Sequence, residues 1–150
     1  MDLIQHFAKT KVQFLHPYGE VGTDLLIEAL PLHGNPKVLE IGCGTGSTGE
    51  KLLNNFDLNY FAVDRSIDMV KRAKERPSIK EDHVIPVENN QLPFEDNSFD
   101  LIFAESVLAI IKGTELKEVL KEIYRVLRPS GKFISTDSIF NGLNNTYDEN

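Results

Sequence analysis

Glu40 and three glycines at alternating positions, Gly42, Gly44 and Gly46, are the residues of this 150-residue chain whose types and spacing point most directly to chemistry. Glu40 interrupts an apolar run of strand length, Val38-Leu39-Glu40-Ile41, and the glycines follow at once in Gly42-Cys43-Gly44-Thr45-Gly46. Lacking Cβ atoms, these glycines can adopt positive φ and let a ligand lie against bare backbone amides. Such a loop reads as a ligand cradle. Behind it, Ser47 and Glu50 are spaced as a capping box, which predicts a helix whose unpaired N–H groups face the same loop.

Three readings of the cradle are open. Gly44, Gly46 and Gly49 satisfy the dinucleotide fingerprint G-x-G-x-x-G, whose helix start holds a pyrophosphate, so a nicotinamide-dependent enzyme is one of them. An ordinary glycine turn after a strand is another. The third follows from Glu40: a carboxylate at the strand end repels a pyrophosphate but suits a ligand carrying an ammonium and a sulfonium. A second buried run, Asn59-Tyr60-Phe61-Ala62-Val63-Asp64, ends in an acid 18 residues after Gly46. At that distance a β-α-β unit brings a carboxylate beside the loop, where it accepts both ribose hydroxyls of either cofactor.

The run Glu40-Ile41-Gly42-Cys43-Gly44-Thr45-Gly46 resembles the first motif of the class I S-adenosylmethionine-dependent methyltransferases. Gln91-Leu92-Pro93-Phe94 and Asn97-Ser98-Phe99-Asp100 are similar to that family's Leu-Pro-Phe turn and its entry to strand four. Arg125-Val126-Leu127-Arg128-Pro129-Ser130-Gly131 is similar to its Arg-Val-Leu-Lys-Pro-Gly-Gly turn, with Ser130 in place of one glycine. The resemblance covers roughly residues 15 to 140. It implies S-adenosylmethionine as cofactor, S-adenosylhomocysteine as product, and a small-molecule or protein methyl acceptor. Glu40 would face the methionine ammonium over a floor of Gly42, Cys43, Gly44 and Gly46, with Asp64 and the adjacent Arg65 on the ribose side. Met69 is either a soft contact over the adenine or plain core. Glu88 falls where an acid commonly accepts the adenine amino group, Asn89 where a backbone N–H meets a ring nitrogen, and Ala104 leaves the cofactor room. Glu-Asn-Asn at 88–90 departs from the frequent Asp-Ala-Glu.

For a general base the candidates are Glu105, where strand four ends, and His16, in the segment that often closes over substrate in the resembling enzymes. The plainer roles are a solvated helix start and a turn residue. A cofactor-binding module without catalysis is the other functional reading.

The elements that must position these residues form an expected α/β, Rossmann-like, doubly wound and mainly parallel sheet of three α/β/α layers, strand order 3-2-1-4-5. Strands six and seven of the family are not expected in it. One domain is expected over 1–150, with a cap at 1–36, a core at 37–140 and a polar tail at 141–150. Thr23 is placed to cap a helix bearing Leu25, Leu26, Ala29 and Leu30, and Ser66 to cap another with Asp68 in its first turn. His83 to Val87 predicts a short strand that Pro86 confines to a sheet edge. Thr114 is placed to cap the longest helix, with the apolar stripe Leu116, Val119, Leu120, Ile123 and Leu127, before strand five at Lys132 to Asp137. That strand is expected to be an exposed edge, which a homodimer would relieve.

Composition narrows the partners. The chain is 41% hydrophobic and 26% charged, and 16 Lys plus Arg against 23 Asp plus Glu leave a net charge of -7. That balance disfavours general binding to nucleic acid or anionic membrane. No stretch approaches the roughly 20 apolar residues of a membrane span, and the N-terminus carries no charged-then-apolar leader. Cys43 is the only cysteine, so there is no internal disulfide and no cysteine metal site. No metal is expected, and a reducing cytoplasm is. Cys43 reads as a small residue filling the loop rather than a nucleophile.

Overall fold

A computed structural model describes residues 19–137; the expectations for His16 and for the polar stretch 141–150 lie outside the described residues. The chain runs α1 (Gly19–Ala29), β1 (Lys37–Ile41), α2 (Ser47–Asn55), β2 (Asn59–Asp64), α3 (Ile67–Lys74), β3 (Val84–Pro86), β4 (Phe99–Glu105), α4 (Gly113–Val126) and β5 (Leu127–Thr136). The strands form one five-stranded sheet in the order β3-β2-β1-β4-β5, as the sequence predicts, and every pairing in it is parallel.

Successive side chains of a strand point to opposite faces, and here both faces are covered. Val38, Tyr60, Ala62, Leu101 and Phe103 pack with Leu26 of α1, Leu52 of α2, and Val70 and Ala73 of α3. Leu39, Ile41, Val63, Ile102 and Ala104 pack with Val119, Ile123 and Val126 of α4. The central strands therefore need to be apolar on both sides, which is why β1 and β4 read as continuous hydrophobic runs. Glu40 is the exception: a carboxylate only 3% exposed in the middle strand.

Several local expectations are corrected. The Ser47–Glu50 capping box does not form. Gly46, left-handed at φ 75°, occupies the N-cap, and Arg76 takes both side chains, donating to Ser47 Oγ at 2.6 Å and pairing with Glu50 at 2.7 Å. Thr23 is no cap either: α1 begins at Gly19, so Thr23 sits fully buried inside it, and Leu25 points outward, 63% exposed. Ser66 does cap α3, accepting from the Met69 N–H at 3.3 Å. His83 belongs to a 3₁₀ turn ahead of β3, stacked on Phe61 with ring centroids 4.0 Å apart. Pro86 stands in the edge strand, as expected.

α4 opens at Gly113, with no side-chain cap from Thr114, and Val126 completes its buried side in place of Leu120, which is 40% exposed. β5 starts at Leu127, earlier than Lys132. Its register jumps from Phe99↔Leu127 to Leu101↔Lys132, so Arg128 to Gly131 bulge out where Pro129 has no N–H to give the ladder.

The turn before β4 is tied to the end of α4. Arg125 donates to the carbonyls of Leu92 at 3.0 Å and Phe94 at 2.8 Å while pairing with Asp96 and Glu122, and Asn97 and Ser98 donate to the Arg125 and Val126 carbonyls. A planar five-donor guanidinium is the side chain able to satisfy that set at once. Its pairing holds the Glu122 carboxyl below its usual range.

Candidate functional site

A cavity of about 600 Å³ opens at the carboxyl ends of β1, β2 and β4, the crevice where open α/β sheets bind their ligands. Its polar side is made by Glu40, the Gly42 to Thr45 loop, Asp64, Arg65 and Glu105, and its apolar side by Val87, Leu92, Val107, Ile111, Val119 and Ile123.

The loop is clipped to β2. Gly42 and Cys43 donate to the Val63 carbonyl at 2.8 and 3.1 Å, and Gly44 donates to Asp64 Oδ2 at 2.8 Å. The other oxygen, Asp64 Oδ1, accepts from Ser66 N–H at 2.8 Å, so one carboxylate fixes both the cradle and the start of α3. Burial raises the Asp64 pKa above its ordinary value, and these amide donors oppose the shift.

Two of the glycines differ in what they do. Gly44 has φ +52° and nothing within 4 Å of where a Cβ would stand, so its exposed backbone faces open cavity. Gly46 has φ +75°, but a Cβ there would come within 3.0 Å of Ala73 and Ile79: its bareness lets α3 close on the loop. Gly46 is not among the residues that line the cavity. The contrast is testable. Gly44→Val is expected to weaken ligand binding at least tenfold with a modest loss of stability, whereas Gly46→Val destabilises the unliganded fold by roughly 2–4 kcal/mol, combining left-handed strain with overpacking. Melting temperature and ligand affinity, measured on both variants, separate the two roles.

Glu40 and Glu105 line the same end of the cavity. Glu40 accepts a hydrogen bond from the Tyr60 hydroxyl. Burial pushes its pKa up to about 8; the Tyr60 hydrogen bond works against the shift, and the negative charges of Glu105 and Asp64 add to it. Glu105 accepts from Thr23 Oγ1 of α1 at 3.0 Å and from Thr48 Oγ1 of α2 at 2.9 Å, which joins both helices to the end of β4. Burial, followed by Glu40 and Asp64, drives the Cys43 thiol well above its usual range, in keeping with a loop filler.

Cys43, Arg65 and Met69 line the cavity, Met69 at 3% exposure. Arg65 also pairs with Glu115 at 2.6 Å. Ala104 does not line it; it is fully buried in the sheet beneath. Glu88 and Asn89 are both exposed and outside the lining, and Asn90 takes the inward position instead, because residues 89 and 90 are both left-handed and turn the chain. Sequence reasoning missed Thr23, Thr48, Tyr60 and Asn90. Tyr60 was the one with a signal: a buried phenol needs a partner for its O–H, and strand alternation aims it to the side of the sheet that Glu40 occupies.

A model of the methyltransferase domain family matches residues 39–135. An uncharacterized protein of Haemophilus influenzae is 32% identical over 145 residues, covering 94% of this chain and 57% of that protein. The sterol 24-C-methyltransferase of Aspergillus fumigatus is 34% identical over 101 residues, 65% of this chain and 26% of the enzyme. Among solved structures, a Pyrococcus horikoshii protein is 34% identical with TM-score 0.64, covering 77% of this chain and 54% of that one. The [4+2]-cyclase SpnF is 28% identical with TM-score 0.67, covering 77% and 43%. The chain belongs to the class I S-adenosylmethionine-dependent methyltransferase family. It spans between about a quarter and just over half the length of these curated relatives. Among the described residues no helix is long and apolar enough to cross a membrane.

Proposed function

We propose that the cavity binds S-adenosylmethionine and that the chain directs its methyl group to a nucleophile on a small molecule with an apolar body. The observation that carries this reading is a buried carboxyl group, Glu40, lining the same cavity as the open backbone of Gly44. The donor set fits the cofactor: Glu40 as counter-ion for the ammonium, Gly44 as bare main chain to lie against, Asp64 as acceptor for ribose hydroxyls. Asn90 and Met69 supply a polar edge and a soft apolar wall for the base. A pyrophosphate would meet Asp64 and Glu105 here and would leave Glu40 without a cationic partner, which argues against a nicotinamide dinucleotide.

When bound, the cofactor supplies a methyl carbon already made electrophilic by its sulfonium. The chain's own task is positioning, and proximity with orientation can lower such a barrier by about 7–11 kcal/mol. Glu105, held from two sides by Thr23 and Thr48, is the group to accept a proton from the acceptor. Ile67 and Ile110 line the cavity yet are 56% and 66% exposed, an apolar rim suited to an acceptor's hydrocarbon. The sterol methyltransferase relative agrees with an apolar acceptor. SpnF, a [4+2]-cyclase of similar fold, shows that chemistry other than methyl transfer is carried on such a fold, and the second reading is a cavity that binds cofactor without transferring a methyl group.

The test is a transfer assay with methyl-labelled cofactor against apolar alcohols, amines and carboxylates and their polar counterparts. Label is expected in apolar products, and Glu105→Gln is expected to lower kcat by roughly 10²–10⁴-fold, with cofactor affinity changed only a few-fold. Intact cofactor binding with no labelled product from any acceptor would favour the second reading.

A further inference from the structure

Glu40 and Tyr60 are each 3% exposed and hydrogen-bonded to one another. Tyr60 pairs in register with Val38, two residues before Glu40, so alternation carries the phenol to the side of the sheet that Glu40 occupies. It reaches Glu40 beneath α2, where a Cβ on Gly49 would stand 2.2 Å from Tyr60 Oη. Gly49, the last glycine of the apparent dinucleotide fingerprint, thus makes room for a phenol rather than for a phosphate.

Among the described residues, the titratable groups that bear on Glu40 are Tyr60 and Asp64 from β2, Glu105 from β4 and Cys43 from the loop, all of them acids. From the helices come the hydroxyls of Thr23 and Thr48, both bound to Glu105, and the bare Gly49. With its pKa at about 8, Glu40 carries a proton at pH 7. The Tyr60 hydroxyl, pushed well above its ordinary range by burial and then by Glu40, keeps its own proton throughout.

Resting on the cofactor reading above, we propose that Tyr60 is a positioning residue of this site: its phenol orients Glu40 and donates to the carboxylate formed when an incoming ammonium replaces the carboxyl proton. The Glu40 O–H bond breaks, the proton leaves to solvent, and the carboxylate is then held between the phenol and the ammonium. Binding and proton release are a single event. Tyr60 favours it because its hydrogen bond stabilises the ionised form over the neutral one.

The test is calorimetric titration with S-adenosylhomocysteine, which retains the ammonium and cannot turn over, from pH 6 to 8.5 in buffers of different ionisation enthalpy. The wild-type protein is expected to release close to one proton at pH 7 and to gain affinity about tenfold per pH unit, levelling near pH 8. Tyr60→Phe keeps the ring and loses the donor; its affinity is expected to fall about tenfold or more at pH 7 and to keep rising through pH 8.5. Glu40→Gln binds weakly, releases no proton and shows no such slope. If Tyr60→Phe melts too low to measure, Gly49→Ala displaces the same hydroxyl and is expected to move the profile the same way. A wild-type profile in Tyr60→Phe, or in Gly49→Ala where that variant stands in, overturns the inference. Failure of the wild-type protein to bind at any pH overturns the cofactor reading itself and this inference with it.

Discussion

Glu40→Gln is expected to weaken S-adenosylmethionine binding by roughly 30- to 5,000-fold, because removing one partner of a buried, hydrogen-bonded charge pair costs about 2–5 kcal/mol. The substitution preserves shape and leaves an acceptor for the Tyr60 hydroxyl, so the fold should survive. Calorimetry on the variant checks the affinity, and a loss below threefold would remove Glu40 from the site. The same variant isolates a pH effect on the unliganded protein. Glu40 has a folded pKa of about 8 against an ordinary 4.5, so the folded chain holds the proton more tightly than the unfolded one. Its stabilising contribution is complete below pH 4.5 and is lost as pH rises through 8. Melting temperatures compared from pH 5 to 8.5 should therefore fall for the wild-type protein relative to Glu40→Gln; parallel curves would contradict the assignment.

Phe99→Ala is expected to remove about 3–5 kcal/mol of stability, the range for a buried phenylalanine truncated to alanine. Phe99 is fully buried, meets Phe94 edge-on at 4.8 Å and Phe61 at 5.8 Å, and has the Lys37 ammonium 5.0 Å from its ring. Against a total stability of about 5–15 kcal/mol that is a fifth or more, read as a fall of roughly 6–20 °C in melting temperature. The damage should travel. Phe94 belongs to the turn that Arg125 holds, and Leu92 of that turn lines the cavity, so cofactor affinity should drop alongside stability. A melting temperature within about 2 °C of the wild type would show that the aromatic cluster does not carry the turn.

The sheet was legible in the sequence because its signals are local and strong. Val38 to Ile41, Asn59 to Asp64 and Phe99 to Glu105 are apolar on both sides, as a doubly covered parallel sheet requires, and glycine spacing marks the loop that β1 feeds. What was not legible depends on partners distant in sequence. The Ser47–Glu50 spacing looked like a capping box, yet Arg76, 26 residues beyond Glu50, claims both side chains. Thr23 had the look of a cap until Glu105, 82 residues on, gave its hydroxyl a buried partner. Glu88 and Asn89 read as adenine contacts from their place after β3, but two consecutive left-handed residues, Asn89 and Asn90, bring Asn90 to the cavity instead. In the first two cases a tertiary contact outweighed the local pattern, and in the third the left-handed turn of the backbone did.

The central claim is that one end of the cavity receives an ammonium on Glu40 and a nucleoside on Asp64, with Gly44 as the floor between them. A crystal structure of the complex with S-adenosylhomocysteine tests it most directly. The expected result is an ammonium within about 2.7–3.2 Å of a Glu40 oxygen and ribose hydroxyls on Asp64. A ligand bound elsewhere, or bound here with its amino group turned away from Glu40, would contradict it.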